Sequence, residues 1–147
     1  MACVLVVDDS ASMRSYVRSA LEQDEPTLVT GSARDESALP ESEPIQVVEA
    51  SSGFDALRLL PRGRFDLVIA DVNMPDINGI ELIRFLRESP RHRGVPILII
   101  STQRSEKSVE RALATGANGF LAKPFSPEAL RKEVAAQLGR GREGASD

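Results

Sequence analysis

Tryptophan is absent from this chain, tyrosine, cysteine and histidine occur once each, and aromatic residues make up 4% of its 147 positions. So little ring surface leaves no material for carbohydrate platforms or base-stacking surfaces. The lone Cys3 cannot close an internal disulfide, and Cys/His spacings of the zinc type are missing. No apolar run approaches the roughly 18 residues that span a bilayer, and no basic segment precedes an apolar stretch. The reading is therefore no signal peptide, no membrane insertion and a cytoplasmic location. A net charge of -4, from 18 Lys and Arg against 22 Asp and Glu, provides no basic field, so direct nucleic-acid binding is not expected. A Gly-rich phosphate loop and a Gly-x-Ser-x-Gly turn are also lacking. What the chain does have is 41% hydrophobic residues, at a length that removes roughly two-thirds of its unfolded surface from water on folding. One globular domain is implied, with no need of a disulfide or structural metal.

The apolar residues fall into short runs rich in β-branched side chains, each followed by a stretch of helical spacing. Cys3 to Val7 is the first run, and Ser10 is placed to cap a helix with Met13, Tyr16, Val17, Ala20 and Leu21 on one face. Ile45 to Ala50 follows, with Ser51 and Ser52 before a helix through Leu60 that Pro61 and Gly63 stop. Phe65 to Ala70 leads through a loop to a helix carrying Ile80, Ile83 and Leu86. Pro96 to Ile100 precedes a helix around Val109 to Leu113, stopped by Gly116. Gly119 to Ala122 precedes a helix that opens on Ser126 and Pro127 and shows Leu130, Val134 and Leu138. Five such units predict an α/β fold, a doubly wound parallel sheet covered by helices on both faces. Glu22 to Pro44 and the Gly/Arg-containing stretch from Gly139 to Asp147 read as lying outside the core.

Ligands of such sheets bind beyond the carboxyl ends of the strands. Asp8 and Asp9 follow the first strand, Asp71 the third, Ser101 the fourth and Lys123 the fifth. Three clustered carboxylates repel unless protons, a lysine or a hard cation compensate them, and an oxygen-lined site of this kind suits Mg²⁺. Taken singly, each has a plain structural reading: Asp8 and Asp9 as helix caps, Asp71 as a turn former, Lys123 as a solvated lysine. One shared site accounts for all of them together. His92, among Arg91 and Arg93, reads as a solvated loop residue, and Cys3 as packing.

The stretches Val4 to Ser10, Asp71 to Gly79, Pro96 to Ser101 and Gly116 to Phe125, in this order, resemble the receiver domains of bacterial response regulators, in particular the stand-alone chemotaxis type. The resemblance implies a flavodoxin-like sheet of strand order 2-1-3-4-5 with five helices. It implies that Asp71 accepts a phosphoryl group from a phosphohistidine of a sensor histidine kinase or phosphotransfer domain. Mg²⁺ would be held by Asp9, Asp71 and the backbone carbonyl of Asn73, with Asp8 acting through bound water. Lys123 and Ser101 would contact phosphoryl oxygens, Lys123-Pro124 would be a cis peptide, and Ser101 with Phe120 would form the switch. Output would pass to a downstream protein through the surface of the fourth helix, fifth strand and fifth helix.

Two departures stand out. Phe120 occupies a position that often carries Tyr, and so offers a partner no hydroxyl. The segment 22–44 replaces a short connection; between residues 24 and 43, Asp24, Glu25, Asp35, Glu36, Glu41 and Glu43 against Arg34 give -5, so the chain's -4 leaves the remainder at +1. The expected organisation is a receiver domain over residues 1–138 containing this insert, then a tail over 139–147 with no output domain. A small phosphatase of the haloacid dehalogenase type is the alternative enzyme, disfavoured because Asn73 stands where that family wants an acid. A phosphorylation-independent adaptor is the alternative binder.

Overall fold

Buried alternation decides the architecture: adjacent residues of the central strands face opposite sides, and both sides are apolar. The computed structural model describes residues 2–22, 44–72, 78–101 and 106–146. In chain order it contains β1 (Ala2–Val7), α1 (Ala11–Leu21), β2 (Ile45–Ala50), α2 (Gly53–Leu59) with a 3₁₀ turn over Leu60–Arg62, β3 (Leu67–Asp71), α3 (Gly79–Glu88), β4 (Ile97–Ser101), α4 (Glu106–Thr115), β5 (Gly119–Ala122) and α5 (Pro127–Ser146). The strands form one parallel sheet ordered β2-β1-β3-β4-β5, the expected doubly wound topology. Leu5, Val7, Val68, Ala70, Ile97 and Ile99 pack on the side of α2, α3 and α4 against Leu60, Ile80, Ile83 and Leu86. Val4, Val6, Leu67, Ile69, Leu98 and Ile100 pack on the side of α1 and α5 against Val17, Leu21, Leu130 and Val134. Each valine, leucine or isoleucine among them contributes about 1.5–3 kcal/mol by leaving water, which makes the three inner strands a rigid base for whatever stands at their ends.

Local signals place the helix starts. Met13 N–H donates to Ser10 Oγ at 3.2 Å, Asp55 N–H to Ser52 Oγ at 3.1 Å and Ala129 N–H to Ser126 Oγ at 3.0 Å. At α3 a reciprocal capping box joins Asn78 and Glu81. Gly116, at φ +138°, ends α4 in a conformation that a side chain would strain. Arg87 fastens this end of the molecule. Its guanidinium donates to the carbonyls of Gly116, Arg93 and Val95 and to Asn118 Oδ1, joining the ends of α3 and α4 to the starts of β4 and β5. Among the described residues no helix is long and apolar enough to cross a membrane.

Several boundaries differ from expectation. β3 begins at Leu67 rather than Phe65, and Phe65 instead lies against the α2–α3 side of the core. α5 continues through Ser146, across the stretch read as a tail; Gly139 and its neighbours lower helix propensity without ending the helix. Glu22 belongs to the fold and not to the insert: its N–H donates to Arg18 O as the C-cap of α1, and its carboxylate accepts the Val47 N–H of β2 at 2.7 Å. His92 is 7% exposed and not solvated. Burial holds its imidazole below the ordinary range, with the Arg91 charge adding to the effect and a hydrogen bond to the Leu60 backbone opposing it. Cys3 is half-buried, and burial, with the Asp66 charge, pushes its thiol up. The insert from residue 23 to 43 lies outside the described residues, as does Asn73.

Candidate functional site at the carboxyl ends of the strands

Parallel register brings the strand ends level. Val7 pairs with Ala50 and Ala70, Asp71 with Ile100, and Ser101 with Ala122, so the residues at or just after these positions share one end of the sheet. One carboxylate oxygen from each of Asp8, Asp9 and Asp71 lies within 4.8 Å of the others. Asp8 is fully buried and Asp9 is exposed. The Asp8 carboxylate accepts the Ser10 N–H at 2.9 Å through Oδ1 and the Lys123 ammonium at 3.1 Å through Oδ2. Lys123 Nζ also donates to Asp71 Oδ2 at 3.0 Å. The helix-cap reading of this pair therefore gives way to a division of labour in which Ser10 caps α1 while Asp8 faces the lysine.

Lys123 has a side chain only 12% exposed. Burial disfavours its charge, but the hydrogen bonds and charges of Asp71 and Asp8 outweigh that and hold the ammonium above its ordinary range. One ammonium against three carboxylates leaves two negative charges in the cluster. A hard dication with oxygen ligands matches that excess in both charge and chemistry. Ser101 is 1% exposed at the end of β4, and its carbonyl accepts the Lys123 N–H at 2.9 Å. Phe120, on β5, is half-buried against the α2–α3–α4 side of the core. The Lys123–Pro124 peptide is cis, as the resemblance implied.

Three residues support the site in roles that the sequence does not spell out, although Gly79 lies within the stretch that carries the resemblance. A Cβ on Gly79 would stand 2.8 Å from both Asp71 O and Val72 Cα. Backbone at that distance cannot give way, so only glycine lets α3 start this close to Asp71. Arg14 donates to Asp8 O at 2.6 Å and to Glu49 Oε1 at 2.9 Å, bracing the peptide that carries Asp8 and Asp9. Arg14, Arg18 and Glu22 recur every fourth residue, and that spacing is the clue that was available for the ion pairs they make. Tyr16, read only as part of an apolar face, makes a polar contact as well, with its hydroxyl donating to Phe125 O at 2.5 Å.

Comparison with known proteins points the same way. Residues 36–135 match the family model described as a response regulator receiver domain. Asp8 and Asp9 precede the matched segment and reach Asp71 only through the fold. A chemotaxis protein CheY homolog from Campylobacter jejuni is 32% identical over 146 residues, 98% of each chain. The chemotaxis protein CheY of Pseudomonas aeruginosa is 29% identical over 131 residues, covering 89% of this chain and 91% of that protein. Among solved structures, chemotaxis protein CheY4 of Vibrio cholerae superposes with a TM-score of 0.77 at 34% identity, covering 93% of this chain and 98% of that one.

Proposed function

Because this chain belongs to the response regulator receiver domains, signalling phosphoacceptors of the two-component systems, we propose that Asp71 is its phosphoacceptor and that Asp8, Asp9 and Asp71 assemble a Mg²⁺ site around it. The observation that carries this reading is Lys123 Nζ hydrogen-bonded to both Asp8 and Asp71 within a cluster whose negative charge exceeds what one ammonium neutralises. The backbone carbonyl of Asn73 joins the ligand set by resemblance. The cation's contribution when bound is neutralisation of charge on the phosphoryl oxygens. An oxygen of the Asp71 carboxylate forms the new P–O bond while the P–N bond of the donor phosphohistidine breaks, and its electron pair stays with the imidazole. Lys123 turns from Asp71 toward a phosphoryl oxygen. Ser101 donates a hydrogen bond to another, and Phe120 moves inward as it does so. The resulting change is read by a downstream protein at the surface of α4, β5 and α5. The working location is the cytoplasm, the donor is a histidine kinase or phosphotransfer domain, and the relatives' names suggest a chemotaxis-like pathway.

The family match leaves neither alternative favoured: a haloacid dehalogenase phosphatase and a phosphorylation-independent adaptor both explain it less well. Incubation with acetyl phosphate and Mg²⁺, followed by intact mass and peptide mapping, tests the assignment. The expected result is a single Mg²⁺-dependent phosphoryl adduct at Asp71, absent from Asp71→Ala. An adduct that persists in that variant would falsify it.

A further inference from the structure

Lys123 must sit within reach of Asp8 and Asp71, yet it stands at the end of β5, an edge strand paired only to β4. Two contacts from α1, on the side of the sheet that α5 also covers, tie down the segment just beyond it. The Tyr16 hydroxyl on α1 donates to Phe125 O at 2.5 Å, and the Tyr16 and Phe125 rings pack with centroids 5.7 Å apart at an interplanar angle of 53°. Phe125 also packs against the α1–α5 side of the core. On the other flank, Lys123 N–H is bonded to Ser101 O, and Ser126 caps α5. The segment from Lys123 to Ser126 is thus held by β4 at one end, α5 at the other and Tyr16 between them. Tyr16 lies on the helix that Ser10 opens directly after Asp8 and Asp9, so one rigid element connects the acids to the lysine's backbone.

We infer that Tyr16 is a positioning residue for Lys123, fixing the segment behind it through Phe125 so that the ammonium is aimed at Asp8 and Asp71. The inference rests on the phosphoacceptor reading above and extends it to a residue that touches none of the reacting atoms. Because the chain contains one tyrosine and no tryptophan, the tyrosine emission of the native protein reports the surroundings of Tyr16 alone.

The test is a cycle of four full-length proteins: the native chain, Tyr16→Phe, Lys123→Ala and the double variant, each labelled with acetyl phosphate and Mg²⁺. Tyr16→Phe keeps the ring and loses the hydroxyl, and is expected to slow labelling roughly three- to ten-fold, the size of one lost hydrogen bond. The double variant is expected to label no more slowly than Lys123→Ala, since a residue acting through Lys123 has nothing left to position. A loss of general structural support would instead add to the effect of Lys123→Ala. Tyrosine emission supplies a second readout: addition of Mg²⁺ with beryllofluoride should shift it in the native chain and not in Lys123→Ala. Equal rates for the native chain and Tyr16→Phe, or additive losses in the double variant, would overturn the inference while leaving the phosphoacceptor reading intact. A native chain that takes no label would overturn both.

Discussion

Lys123 carries opposing demands. Its part-buried ammonium balances part of a three-carboxylate cluster, and in the proposed reaction the same charge turns toward the incoming phosphoryl group. Replacing Lys123 with Met removes the ammonium that bridges the Asp8 and Asp71 carboxylates. Breaking a buried pair in this way typically costs about 3–5 kcal/mol because the surviving charges stay behind. The melting temperature of Lys123→Met should therefore fall well below that of the native chain in metal-free buffer. Millimolar Mg²⁺ should recover much of the loss, because a ligand that binds the folded state compensates by mass action. Thermal melts with and without Mg²⁺ decide this; equal Mg²⁺-induced gains in the two proteins would mean that Lys123 does not share the charge of the cluster. Residue identities at the strand ends were enough to foresee this convergence, because parallel strands deliver their last residues to one edge. The bracing by Gly79, Arg14 and Tyr16 was not, since each depends on a distance between elements that periodicity does not encode.

At the scale of elements, α1 is held to the edge strand β2 by alternating charges. Arg14 and Arg18 both grip Glu49, at 2.9 and 2.8 Å, and Arg18 pairs onward with Glu22, which in turn accepts the Val47 N–H. An edge strand occupied in this way offers one N–H fewer to unwanted strand pairing. The Arg18 hydrogen bond lowers the Glu49 carboxyl below its ordinary range, against the opposing effect of burial and with further help from Arg14. A carboxyl depressed in the folded state contributes stability above its unfolded pKa of about 4.3 and loses it as pH falls through the lower folded value. Glu49→Gln should accordingly cost on the order of 1 kcal/mol at neutral pH after allowance for screening of a part-exposed pair. The difference from the native chain should shrink toward pH 3 and in high salt. Urea denaturation at two pH values measures it; a difference that does not change with pH would show that the charge on Glu49 contributes nothing. The helix starts of α1, α2 and α5 were legible from Ser10, Ser52 and Ser126, because a cap is a local interaction. The ends were less so: Glu22 was assigned by composition to the acidic insert, whereas its i+4 spacing from Arg18 and its bond to β2 place it on α1.

For the whole molecule, the topology separates two ends of one sheet. Asp8, Asp71, Ser101 and Lys123 gather at the carboxyl ends of the strands, whereas Glu22 closes α1 and Pro44 precedes β2 at the opposite end, where the Pro44 carbonyl accepts the Ala2 N–H at 3.0 Å. The fold was readable because five apolar runs with polar ends admit few other arrangements. His92 was misread because its neighbours are arginines, while the turn carries its ring onto the Leu60 backbone. The same separation applies to the two residues that flank the insert, Glu22 and Pro44. The insert's 24–43 stretch carries -5 of charge, but it joins the domain beyond the full length of β1 and β2, and charges exposed to water are screened over about 8–10 Å at ordinary ionic strength. Replacing residues 24–43 with a short Gly/Ser linker, with Glu22 and Pro44 retained, should leave both the Mg²⁺ affinity and the rate of labelling by acetyl phosphate within about two-fold of the native values, a margin set by the weakness of screened long-range charge. The ladder from Glu22 to Arg14 survives in that variant, so the Asp8–Asp9 peptide keeps its brace. A second variant that also carries Glu22→Ala loses the bond to Val47 and should be less stable in urea. Calorimetric titration with Mg²⁺ separates the two cases. Loss of Mg²⁺ binding on linker replacement alone would mean that the insert reaches the acidic pocket from the opposite end of the sheet.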